Sequence, residues 1–165
     1  MIRKIYGHFV FPKLESWISK IMASRQGYES FRILGNNMSP TLKSGQLIRF
    51  LPLQEEKIVA RGEVVVMRSS KFGKDLIPSR VVGIAGDKVE LIDAGLYINS
   101  ESVFEFYLNK DTAQTEYSLN YGPTVIPTGF VFVLGDCRDI SKDSRYFGPF
   151  EMNEIAGKLI LPAEV

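Results

Sequence analysis

The residue types that do chemistry are few in this chain and widely spread. There is one histidine, His8, and one cysteine, Cys137. They lie far apart and form no cluster with metal-ligand spacing, so neither a metal nor another cofactor is expected. A single cysteine allows no internal disulfide, and Cys137 reads first as a packed or loop thiol. Serines are plentiful, but a serine is a weak nucleophile until a neighbouring group takes its proton. The densest group of charges runs Asp136-Cys137-Arg138-Asp139-Ile140-Ser141-Lys142-Asp143-Ser144-Arg145. Within it Asp136, Arg138, Asp143 and Arg145 can form two charge-assisted pairs, bidentate where guanidinium and carboxylate meet in plane.

Such residues need a scaffold, and 165 residues with 45% apolar and 24% charged side chains suffice for one domain with a hydrophobic core. Lys and Arg total 20 against 19 Asp and Glu, a balance that gives no concentrated positive field for nucleic acid. From residue 28 onward short apolar or alternating runs recur: Phe31–Leu34, Leu47–Leu51, Glu63–Arg68, Arg80–Ile84, Lys88–Ile92, Leu96–Ile98, Gly129–Leu134 and Gly157–Leu161. Turn residues separate them, as in Lys43-Ser44-Gly45, Ala85-Gly86-Asp87 and Ile126-Pro127-Thr128-Gly129. The pattern predicts a mainly β domain over residues 28–165, an antiparallel sheet or barrel assembly, with a polar insertion at about 99–124.

Residues 1–27 differ. Arg3, Lys4, Lys13, Lys20 and Arg25 face one acid, Glu15, and Leu14, Trp17, Ile18, Ile21 and Met22 fall at helical spacing. A short amphipathic N-terminal helix is expected. Its apolar stripe either packs on the domain or, through residues 13–25, rests on an anionic membrane surface. No apolar run reaches the roughly 18 residues of a spanning helix. The run Phe9-Val10-Phe11 is broken by Pro12, so no signal peptide is read either. Peripheral membrane association and a cytoplasmic location both fit.

Three segments read together carry a resemblance. Gly35-Asn36-Asn37-Met38-Ser39-Pro40-Thr41-Leu42 comes first. Arg61-Gly62-Glu63-Val64-Val65-Val66 and Ser79-Arg80-Val81-Val82-Gly83-Ile84-Ala85-Gly86-Asp87 follow, and the charged run from Gly135 to Arg145 closes the series. In order and spacing they resemble the boxes of the type I signal peptidase family: Ser-Met-x-Pro-Thr-Leu, Arg-Gly-Asp-Ile-Val, Lys-Arg-Val-x-Gly-x-x-Gly-Asp and Gly-Asp-Asn-Arg-x-x-Ser-x-Asp-Ser-Arg. The resemblance implies that family's β fold. It also implies a serine endopeptidase whose nucleophile is the Ser before Met and whose base is the Lys before Arg-Val, desolvated until its amine is neutral.

Both positions have changed. Asn37 stands at the nucleophile position and Ser79 at the base position, while Gly35 replaces a hydroxyl that lends a hydrogen bond to the oxyanion. A carboxamide is no nucleophile and a serine hydroxyl is no base at neutral pH, so no catalytic residue is intact. Ser39 is the possible surrogate. It lies two positions on, about 6–7 Å along an extended chain, too far to inherit the geometry without a remodelled loop. Ser79 itself reads as a small polar filler bonded to Asn37. In the closing box Asp136, Arg138, Ser141, Asp143 and Arg145 read as a structural brace, with Cys137 in place of the family's Asn.

Three functions follow from this reading. The first is an inactive homologue that binds an extended peptide or preprotein segment, or a partner protein, at a sheet edge. The second is an atypical peptidase using Ser39, Ser79 or Cys137. The third is a regulatory or structural subunit beside an active signal peptidase or another membrane protein.

Overall fold

The computed structural model describes residues 27–53, 58–108 and 120–160; the N-terminal amphipathic stripe lies outside them. Among the described residues eleven strands form two antiparallel sheets. They are β1 (Glu29–Arg32), β2 (Leu47–Pro52), β3 (Val64–Met67), β4 (Ile77–Gly83), β5 (Lys88–Ile92), β6 (Gly95–Ile98), β7 (Glu101–Ser102), β8 (Tyr121–Val125), β9 (Phe130–Leu134), β10 (Phe150–Glu151) and β11 (Ile155–Leu159). The larger sheet runs β1-β2-β11-β3-β4-β9-β10 and the smaller β7-β6-β5-β8. One single-turn helix, α1 (Ser144–Phe147), follows the charged run. No helix among the described residues is long and apolar enough to cross a membrane. The mainly β architecture is the one the alternating runs predict.

Side-chain pattern explains each strand's place. β2 alternates, with Ile48 and Phe50 buried and Leu47 and Arg49 exposed, as a strand with one wet face does. β3 is Val-Val-Val-Met without a break and buried throughout, because the central strand is covered on both faces. Its two faces feed different cores. Val65 and Met67 pack with Val81, Val133, Phe150 and Ile155. Val64 packs with Ile33, Met38, Leu42 and Ile48. A third cluster joins the sheets, with Phe132 and Leu134 of β9 against Val89, Leu91, Leu96 and Ile98 of the smaller sheet.

β11 threads between β2 and β3, and only a glycine fits at its centre. A Cβ on Gly157 would stand 2.2 Å from the Leu51 carbonyl oxygen and 2.5 Å from Phe50. The segment 99–124 reads as an insertion, yet both its ends join the smaller sheet: Glu101–Ser102 pair with β6 and Tyr121–Val125 with β5.

Candidate functional site at the head of the β1–β2 loop

The loop joining β1 to β2 carries the first box. Met38 and Leu42 point into the core, 0% and 2% exposed, and the Leu42 N–H donates to the Met38 carbonyl at 2.9 Å. A turn from Asn36 to Ser39 and a cis Ser39–Pro40 bond fix the backbone between them. Buried Met38 therefore sets where its neighbour Asn37 lies.

Asn37 is held on two sides. Its backbone carbonyl accepts from the Cys137 N–H at 2.9 Å and from Ser141 Oγ at 3.0 Å. Its side-chain Nδ2 donates to the Pro78 carbonyl at 2.8 Å. Oδ1 is buried and has no hydrogen-bond partner among the described residues. The fold thus brings residue 37 against the peptide unit that leads into Ser79, which is 2% exposed on β4 opposite Val65. The expected Asn37–Ser79 side-chain contact is drawn differently, because the carboxamide takes the backbone carbonyl one residue earlier. Ser39 lies beyond the turn, at the cis bond.

The charged run closes over this loop. Asp143 caps α1 and pairs with Arg145 in bidentate fashion, Nε to Oδ1 at 2.9 Å and Nη2 to Oδ2 at 2.8 Å. The other anticipated partner for Arg138, Asp136, goes elsewhere. Asp136 receives Arg80 at 2.8 and 2.6 Å, along with the Thr41 hydroxyl. Arg138 instead meets Glu105, a residue the sequence reading did not single out. Tyr107 donates to the same Glu105 carboxylate at 2.5 Å, and the Arg80 guanidinium stacks on the Tyr107 ring at 3.7 Å. The alternation Phe104-Glu105-Phe106-Tyr107 was the available clue. Both phenylalanines are 77% exposed, while the alternate residues Glu105 and Tyr107 turn inward.

Gly135 lets the brace approach. A Cβ there would lie 1.9 Å from Ser141 Oγ and 2.6 Å from the Asn37 carbonyl oxygen. Ser141 Oγ also lies 2.7 Å from the Cys137 carbonyl, so its hydroxyl faces two carbonyls and ties the loop to itself and to residue 37.

The buried charges are matched. Burial opposes the charge on Arg138 most strongly, yet the Glu105 carboxylate, helped by Tyr107 and Asp143, raises its pKa overall. Burial, then the Glu105 charge, pushes the Tyr107 hydroxyl above the ordinary phenol range. Both shifts move Tyr107 and Arg138 away from the neutral range in which general acid–base work is done.

Beside Asn37 an open cleft of about 310 Å³ is lined by Leu34, Gly35, Asn36, Phe72, Ile77, Ile140 and Lys142. It is largely apolar, with one cation at its wall.

Two antiparallel sheets whose first long loop is clamped by a charge-paired loop after β9 form the scaffold of a signal peptidase. A crystal structure of signal peptidase I from Enterococcus faecalis matches it with a TM-score of 0.55 at 30% identity, covering 62% of this chain and 97% of that one. The sequence matches the family described as "Signal peptidase, peptidase S26" over residues 17–163, and the chain belongs to that family. It is 36% identical to signal peptidase IB of Staphylococcus aureus over 143 residues, 78% of this chain and 74% of that protein. Identity to signal peptidase I of Bacillus caldolyticus is 34% over 142 residues, 80% and 77% of the two chains.

Proposed function

We propose that this member of the family holds extended peptides without cutting them. The observation that carries the reading is the chemistry at the site's centre. The position matching the family's nucleophile is a carboxamide whose nitrogen is committed to the Pro78 carbonyl, inside a brace whose ion pairs are complete. A peptide carbonyl placed there would meet no hydroxyl activated by an amine. Removing either member of a nucleophile–base pair costs orders of magnitude in rate, and here both residues differ. The cleft beside Asn37 has the size and apolar lining for small side chains of an extended chain, such as Ala-x-Ala.

The test is cleavage of a preprotein at high protein concentration, followed by mass spectrometry, for the wild type and for an Asn37→Ser, Ser79→Lys double variant. The expected outcome is a silent wild type and a variant that cuts after a small-x-small sequence. Cleavage by the wild type, abolished by alanine at Ser39, Ser79 or Cys137, would replace this reading with an active peptidase that has relocated its nucleophile.

A further inference from the structure

On β4 the backbone groups alternate in direction. Val81 donates its N–H to Glu63 and accepts from Gly62, at 2.9 and 2.8 Å, so it points toward the β3 side. By the two-residue repeat Ser79 and Ile77 point the same way, in register with Val65 and Met67. Pro78 and Arg80 point to the opposite flank. There β9 pairs only from Arg80 onward, opposite Leu134, and no strand among the described residues lies beside Ile77–Ser79. Pro78 has no N–H. Its carbonyl is therefore the one backbone hydrogen-bonding group that this stretch offers to an added strand, and Asn37 Nδ2 already occupies it at 2.8 Å.

The occupant is held by little. The Asn37 backbone is pinned through its own carbonyl by Cys137 and Ser141, so only rotation of the side chain can free the Pro78 carbonyl. That rotation gives up one neutral hydrogen bond. It also brings Oδ1, buried without a partner, out toward the cleft that Asn37 lines, where water or a peptide N–H can satisfy it. The second effect offsets only part of the cost of opening, which leaves a closed state favoured by no more than about one neutral hydrogen bond.

We propose that Asn37 is a side-chain gate on the β4 edge: an extended peptide pairs with the Pro78 carbonyl only after the Asn37 carboxamide has rotated away. This inference rests on the peptide-binding reading above and adds the step that regulates it.

The dissociation constant of an Ala-x-Ala peptide is measured by NMR titration for the full chain and for Asn37→Ala and Asn37→Asp, each checked for folding by its thermal transition. Alanine cannot reach the Pro78 carbonyl and a carboxylate cannot donate to it, so both variants leave the edge open. Each should bind the peptide about fivefold more tightly than the wild type, the scale of one neutral hydrogen bond. In the wild type the Asn37 side-chain NH₂ signals should shift as peptide is added. Equal or weaker binding by both variants, with binding by the wild type intact, overturns the gate and leaves the peptide-binding reading standing. Absence of binding by all three forms overturns both, because an edge opened on purpose would then take no peptide.

Discussion

Tyr107 has a strongly displaced acid–base equilibrium, and it is a residue-scale consequence of packing. Its ring lies under the Arg80 guanidinium and its hydroxyl donates to Glu105, with burial raising its pKa and the Glu105 charge adding to that. Because the folded value is raised, the native state holds this proton more tightly than the unfolded chain does. The stability this contributes is whole below about pH 10, the ordinary phenol value, and is lost as pH climbs from there toward the folded value. In an alkaline titration followed by ultraviolet absorbance, one of the seven tyrosines should therefore ionise late, together with unfolding. Tyr107→Phe should remove that delayed fraction; its persistence would show that another tyrosine is the protected one. The same scale shows where the sequence was mute. Asp143 and Arg145 stand two residues apart and pair, whereas Asp136 and Arg138, at the same spacing, take partners elsewhere. Glu105 meets Arg138 from 33 positions away and Arg80 meets Asp136 from 56, distances over which spacing carries no information.

At the scale of elements, β11 is the most exposed to a small change. Among the described residues it is the only strand that joins β2 to β3 within the larger sheet, and Gly157 sits where the Leu51 backbone comes closest. The neighbour is backbone and cannot turn aside, so Gly157→Ala should cost about 1–3 kcal/mol, the range for overpacking, in urea denaturation. A cost near zero would mean that β11 shifts freely between its neighbours. Most strands were legible as elements because their apolar residues alternate or run continuously: Lys88–Ile92 is observed with the bounds its pattern gives, and Leu47–Leu51 is extended by one residue. β8 was not legible. Its sequence, Tyr-Gly-Pro-Thr-Val, holds two turn-forming residues joined by a cis bond, and it has no fully buried side chain to mark a face. β7 is two exposed residues long and was equally silent. Both joined the polar stretch read as an insertion because their pairing with β5 and β6, rather than any pattern of their own, makes them strands.

For the whole molecule, the question is whether the two sheets are one cooperative unit. Phe132 belongs to the larger sheet, is fully buried, and packs against the smaller sheet's Val89 and Leu91 and on the Tyr121 ring, 5.0 Å between centroids. Phe132→Ala should cost about 3–5 kcal/mol, and hydrogen exchange should show protection falling in both sheets together. Loss confined to β5–β8 would divide the domain into separate folding units. The family and the β architecture were readable in the order of the sequence boxes. The geometry that joins those boxes was not, since it depends on Asn37 meeting Ser141 and Thr41 meeting Asp136, 104 and 95 positions away.

Among the described residues the larger sheet ends at β1. β1 is four residues long, and its first and last residues, Glu29 and Arg32, are exposed and charged. Arg32 is turned back onto the Gly45 carbonyl and Glu29 is engaged by Arg68 across the strand. A second molecule approaching edge to edge would have to bury charge to pair with this strand. The charges on this strand thus work against end-on growth of sheet upon sheet, the geometry from which fibres are built.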